Sequence, residues 1–305
     1  MTSFVFPGQG SQFLGMAKDF HDNFKIAKFI FEEIEDYTNI NIRNIIFNDD
    51  EKQLNLTKYT QISIFASSYV IYKTFIDQTD FQIDKINVML GHSLGEYTAL
   101  ACSNKLSLKD CCLILKKRGE LMNDAVHPNT TTMAALIGKD SDHIQKIIND
   151  NQLDLEIAND NSPMQIVISG SNEAISKSKD IFLSNNIKKF VPLNVSSAFH
   201  SKFMLDAQKK LSEYISELKF FETNVKIISN YDADIYNDTE NIRKNLQYQM
   251  ANKVNWTNSI KKLEQIGETK IIEIGPSKVL SGLIFRISKN FDINSINQIS
   301  DLKNE

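Results

Sequence analysis

Cysteine is scarce in this chain: three occur in 305 residues, Cys102, Cys111 and Cys112. They offer neither a paired framework nor the C-x-x-C spacing of a metal site, which points to a reducing compartment and implies no metal. Long apolar runs are missing too. No stretch approaches the roughly 20 residues of a membrane-crossing helix. The start, Met1-Thr2-Ser3-Phe4-Val5-Phe6, enters strand-like sequence without the basic region and apolar core of a signal peptide. Nor is there a surplus of positive charge. A formal net charge of -4 and a pI near 5.8 give no overall attraction to nucleic acid or an anionic membrane, so an acidic partner needs a local basic patch. Internal repeats and low-complexity linkers are absent as well. What remains is an ordinary globular balance, 42% hydrophobic and 24% charged, expected to form one large domain with room for a smaller inserted one.

The pattern along the chain gives the expected fold class, α/β. Phe4-Val5-Phe6 reads as a short strand running into Pro7-Gly8-Gln9-Gly10-Ser11-Gln12, a loop that permits close backbone approach. Apolar periodicity predicts helices over 13–21, 24–37 and 108–122, and a central packed helix with few charges over 59–75. Residues 86–90 read as a buried strand and 96–101 as helix. From Thr131 the texture changes. A strand over 133–138, a helix over 142–149, strands over 155–158 and 165–169 split by the polar loop Asn159-Asp160-Asn161-Ser162-Pro163, a helix over 172–184 and a strand over 189–195 follow. That βαββαβ order is the ferredoxin-like pattern. Helix returns after Ser201, then a strand over 225–229, a helix over 239–250 and a strand over 270–274. The expected organisation is a large domain over 1–126 and 197–305, interrupted by a small ferredoxin-like domain over 127–196.

Gly91-His92-Ser93-Leu94-Gly95 carries the chemistry. A serine between two glycines, after an apolar strand and before a helix, is the pattern of a nucleophile elbow. Such a turn lifts the Ser93 hydroxyl clear of the backbone and aims the free amides of a new helix at it, where an oxyanion can bind. A structural turn serine is the plainer alternative. Serine needs a base, and the chain has five histidines: His21, His92, His127, His143 and His200. Three of them, His21, His127 and His143, sit among charged or turn residues. His92 adjoins Ser93 but points elsewhere at an elbow, as a structural hydrogen-bonding group. His200 follows an apolar strand where the small domain should rejoin the large one, a place where clefts form; a packed junction histidine is the alternative. Arg118 falls within an apolar helical stripe of Leu108, Cys111, Ile114, Leu115, Leu121 and Met122, where a guanidinium is costly without an anion. An ion pair to Glu120 or a more distant acid, or snorkelling at the edge of the stripe, remains open beside an anion-binding role.

Six separated segments are similar to one family, the malonyl-coenzyme A:acyl carrier protein transacylases. They are Phe6-Pro7-Gly8-Gln9-Gly10-Ser11-Gln12; the elbow with Glu96 and Tyr97; Arg118-Gly119 with Met122; Ser197-Ala198-Phe199-His200-Ser201; Gln249 with Val254 and Trp256; and Glu273-Ile274-Gly275-Pro276 with Val279 and Leu280. The resemblance spans residues 4 to about 290 and implies an α/β-hydrolase-like large domain carrying the ferredoxin-like insertion. It further implies Ser93 as nucleophile, His200 as base oriented by a main-chain carbonyl, and the Gln9 and Leu94 amides as oxyanion hole. Arg118 would grip the malonyl carboxylate, with Gln249, Met122 and Phe199 in the substrate site; Phe199 should disfavour a branch at the substrate's alpha carbon. The implied partners are malonyl-CoA and the phosphopantetheine arm of acyl carrier protein, with no further cofactor, in a monomer of the cytoplasm or of an organelle reached by a removed targeting segment. Lys189, Lys202, Lys209 and Lys210 are candidates for a basic docking surface. Lys253 and Ser277 depart from the family's usual Pro and Gly and put local turns in doubt. A serine thioesterase or esterase, a non-catalytic carrier-binding homologue, and the same reaction in polyketide synthesis are the competing expectations.

Overall fold

The computed structural model describes residues 1–127 and 129–304; Pro128 and Glu305, which fall within the expected ranges 127–196 and 197–305, lie outside the described residues. Two sheets organise the chain. The larger has the strands β1 (Thr2–Phe6), β2 (Ile86–Gly91), β7 (Lys226–Ile228), β8 (Ile235–Tyr236), β9 (Lys270–Ile274) and β10 (Asp292–Ile296) in the order β10-β9-β1-β2-β7-β8. Every pairing in it is parallel except β7 with β8. Parallel strands covered on both faces read as continuous apolar runs, and Phe4, Val5 and Phe6 in β1 are all fully buried. Phe4 and Phe6 meet Tyr72 edge-on from the helix Thr57–Gln78, which is buried around most of its circumference. That packing places the helix against the sheet and its Gln61 near the sheet's carboxyl edge.

The smaller sheet has β3 (Thr131–Ile137), β4 (Leu155–Ser162), β5 (Gln165–Ser171) and β6 (Lys189–Pro192), all antiparallel, in the order β4-β5-β3-β6. Alternation on β3 decides its two faces. Ala134 and Leu136 join Ile144, Ile148 and Phe182 of the helices Ser141–Asp150 and Asn172–Ser184, whereas Met133 and Ala135 turn to the core of the larger body.

The two bodies are stitched through β4. Asp160 N donates to Val254 O and Val254 N to Ala158 O, both at 2.9 Å. This corrects the expected loop over 159–163: Asn159, Asp160, Asn161 and Ser162 are buried strand residues, and the side chains of Asp160 and Asn161 bond across to Thr257 and His92 of the larger body. The helix expected over 13–21 is also corrected. Only Lys18–Asn23 is helical, because Gly15 and Ala17 take left-handed backbone angles and hold 14–17 as turns. Helices Ile42–Phe47, Trp256–Gln265 and Val279–Ile287 and the strands β8 and β10 are additions to the sequence reading. Among the described residues no helix is long and apolar enough to cross a membrane.

Candidate active site

The site lies at the carboxyl edge of the parallel strands, where open α/β sheets present their loops. Neighbouring β1 and β2 bring the loop after Phe6 beside the elbow, and His92 N donates to Phe6 O at 3.0 Å. Ser93 has φ of +53°, the left-handed strain expected of a nucleophile elbow. Its two glycines are required by space. A Cβ on Gly91 would stand 2.0 Å from the Gly95 carbonyl carbon, and one on Gly95 would stand 2.1 Å from Phe6 O.

The turn is held by Asn230, just beyond β7. Its Oδ1 accepts from Ser93 N and its Nδ2 donates to Gly91 O, each at 2.7 Å. Ser93 N is thus occupied, whereas the amides of Gln9 and Leu94, two residues that line the same cavity as Ser93, meet no acceptor among the described residues. Leu94 caps the helix Gly95–Cys102, so its amide also carries that helix's N-terminal partial charge.

Ser93 Oγ lies 2.9 Å from His200 Nε2. On the other side of the imidazole, Nδ1 is 3.1 Å from both Gln249 O and Asn252 O. Carbonyl oxygens only accept, so Nδ1 carries the hydrogen and Nε2 offers its lone pair to the serine. Burial, then the charge of Arg118 and the neighbouring His92, push the His200 pKa down from 6.5 to about 3, against the pull of the two carbonyls. The imidazole is therefore neutral, with its Nε2 lone pair free toward the serine hydroxyl. His92 is a structural group, as expected: its Nε2 lies 2.7 Å from Asn161 Oδ1, its ring packs on Trp256, and burial lowers its pKa.

Arg118 is fully buried in the helix Leu108–Asn123. No carboxylate pairs with it among the described residues, and Glu120 lies with Lys117 instead, so the ion pair held open by the sequence is not made. The guanidinium donates to Gln61 Oε1 at 2.6 Å and, through Nη2, to Gln249 Oε1 and Ser93 Oγ, both at 3.0 Å. Tyr97 presents its ring to the cation at 5.4 Å from the centroid. Burial pulls the Arg118 pKa down while Tyr97 and Glu96 hold it up. A buried cation held by neutral amides, a hydroxyl and an aromatic face has the chemistry to receive an anion.

Gln249 joins the parts. Its main chain orients His200, and its side-chain Nε2 donates to Ser93 O and to Glu96 Oε2, both at 2.8 Å. Glu96 is itself buried, and burial raises its carboxyl to about 7. Met122 accepts through Sδ from Gln61 Nε2 at 3.2 Å, steadying the residue that holds Arg118. Gln9, Ser93, Leu94, Arg118, Met122, Phe199 and His200 line one cavity of about 90 Å³. A larger one of about 360 Å³ shares its Gln9, His92, Asn159, Leu193 and Val195 walls and opens between the two bodies. All eight expected site residues thus surround a single region. The sequence assigns no role to Gln61, Asn161 or Asn230, and Glu96 enters there only as part of the matching elbow segment, without a role; the one signal for Gln61 is an amide on a helix too apolar to leave it exposed.

An acyl transferase domain model matches residues 3–302. The chain belongs to the acyl transferase family. Among this acyltransferase's relatives is the malonyl CoA-acyl carrier protein transacylase of Bacillus subtilis (strain 168), 36% identical over 294 residues, covering 94% of this chain and 90% of the relative. The solved acyl-carrier-protein S-malonyltransferase of Bartonella henselae superposes with a TM-score of 0.94 at 32% identity, over 99% of this chain and 97% of that one. A malonyl-transacylase solved in complex with a type II PKS acyl-carrier protein gives the same TM-score of 0.94, at 32% identity over 99% and 97% of the two chains. The acyltransferase described here shares their mixed α/β fold.

Proposed function

We propose that this acyltransferase moves the malonyl group from malonyl-CoA to the phosphopantetheine thiol of acyl carrier protein through a malonyl ester on Ser93. The observation that carries the reading is the convergence on Ser93 Oγ of His200 Nε2 at 2.9 Å and the carboxylate-free Arg118 Nη2 at 3.0 Å. His200 takes the hydroxyl proton as Oγ attacks the thioester carbon; the carbonyl electrons move onto oxygen, which meets the Gln9 and Leu94 amides. Collapse breaks the C–S bond, and His200 returns the proton to the departing coenzyme A thiolate. The carrier's thiol then enters the larger cavity, gives its proton to His200 and attacks the ester, and the proton goes back to Ser93. Only side chains, amides and the two thiols are used.

Arg118 selects the acyl group by pairing with the free carboxylate, Gln249 and Met122 support it, and Phe199 limits bulk beside the alpha carbon. The two sheets support an α/β-hydrolase-like domain over 1–126 and 197–305 and a ferredoxin-like one over 127–196, the latter because the order β4-β5-β3-β6 places its first and third strands at the centre. The reaction supplies fatty acid synthesis, in a cytoplasmic monomer. The exposed Lys189, Lys209 and Lys210 are the better docking candidates, since Lys202 is already paired with Asp154. The test against a thioesterase is the fate of the acyl-enzyme: it should persist in buffer and empty rapidly on addition of the phosphopantetheine-bearing carrier. Equal rates of emptying with and without carrier would make the protein a hydrolase.

A further inference from the structure

We infer that Glu96 is a positioning residue for malonyl selection: its carboxylate fixes the Gln249 side-chain amide so that Oε1, not Nε2, faces Arg118. The inference rests on the proposed reading of Arg118 as the clamp for the malonyl carboxylate. Glu96 sits in the first turn of the helix Gly95–Cys102, 1% exposed, and touches no reacting atom. Its Oε2 accepts from Gln249 Nε2 at 2.8 Å and from Asn230 N at 3.1 Å, and no Lys, Arg or His pairs with it among the described residues. Burying a carboxylate without a cation is costly. The arrangement does something definite for the amide between it and Arg118.

A side-chain amide is nearly symmetric in shape and fits either way round; its neighbours choose. Turned over, Gln249 would set its oxygen against Glu96 and its NH₂ against the guanidinium, exchanging two attractions for two repulsions. Ser93 O also accepts from Gln249 Nε2 at 2.8 Å and favours the same orientation, but as a neutral acceptor. Glu96 supplies the charge-assisted bond, which is roughly twice as strong. With the amide so fixed, Gln249 Oε1 and Gln61 Oε1 hold the two terminal nitrogens of Arg118 and leave the guanidinium aimed at Ser93 Oγ. Loosening it harms thioesters that carry a carboxylate. An effect passed instead through Asn230 to the elbow slows malonyl and acetyl thioesters alike and leaves their ratio unchanged.

The test is the ratio of kcat/KM for malonyl-CoA to that for acetyl-CoA, with carrier as acceptor, at a pH well above 7, where the raised Glu96 carboxyl is ionised, in the parent, Glu96→Gln, Glu96→Met, Gln249→Ala and the double variant Glu96→Met/Gln249→Ala. Glutamine keeps a neutral acceptor and methionine keeps only the shape, so the ratio should fall by about fivefold and about thirtyfold respectively, chiefly through the KM for malonyl-CoA. Because Glu96 acts through Gln249, the double variant should lose no more of the ratio than Gln249→Ala alone. An undiminished ratio in Glu96→Gln, or losses that multiply in the double variant, overturns the inference; if Glu96→Met does not fold, Glu96→Gln alone decides it. A parent that transfers no malonyl fails the proposed function itself, whereas a working parent with an ungraded ratio fails this inference alone.

Discussion

Arg118 Nη2 donates to the hydroxyl oxygen of Ser93 across 3.0 Å. The group proposed to choose the substrate therefore rests on the atom that attacks it, and no carboxylate competes for it among the described residues. A malonyl carboxylate gives that cation the partner it lacks; an acetyl group leaves it unpaired.

Arg118→Ala should consequently lose malonyl transfer far more than acetyl transfer, by about 2–5 kcal/mol of selectivity. Steady-state rates with the two coenzyme A thioesters measure it. Equal loss on both would make the arginine structural only.

The pH profile should carry the mark of the buried histidine. With its pKa lowered from 6.5 to about 3, His200 is neutral, and able to take the serine's proton, at every pH above the lowered value. Because kcat/KM reports the free enzyme, and acetyl-CoA has no carboxylate for the arrangement of Glu96, Gln249 and Arg118 to select, the rate of acetyl-enzyme formation should stay level as pH falls through 6.5 and decline only at more acidic pH. A loss centred on 6.5 would show an imidazole left at its ordinary value.

Asn230→Ala removes the side chain that ties Ser93 N to Gly91 O. The elbow should loosen, and kcat should fall about tenfold to a hundredfold for malonyl and acetyl thioesters alike, since misplacement of the nucleophile is independent of the acyl group. A change in selectivity without a change in kcat would contradict this.

Gly95 and Gly282 should respond oppositely to alanine. At Gly95 the new Cβ meets the main-chain oxygen of Phe6 at 2.1 Å, which only a backbone shift can relieve, so a loss of more than about 3 kcal/mol is expected in denaturant titrations. At Gly282, exposed in the helix Val279–Ile287 with nothing within 4 Å, alanine should add about 0.5–1 kcal/mol through helix propensity.

The residues legible in the sequence are those whose chemistry breaks a local pattern. Ser93 stands between glycines at a strand end, Arg118 interrupts an apolar stripe, and His200 lies where one body gives way to the other. The supporting amides break no pattern. Gln61 and Asn230 act through hydrogen bonds to residues 57 and 137 positions away, a pairing that periodicity cannot express. Asp160 and Asn161 mislead for a related reason: polar residues signal a loop unless another surface satisfies them, and here Val254, Thr257 and His92 do so. The helix expected over 13–21 shortened because Ala17, a strong helix former, takes φ of +56° at the cap.

A malonyl ester on Ser93 shows itself in the intact mass of the protein after brief mixing with malonyl-CoA, measured for the parent and for Ser93→Ala. The parent should gain the mass of one malonyl group and the variant none. A gain that survives in Ser93→Ala, or no gain in the parent, would contradict a malonyl ester on this serine.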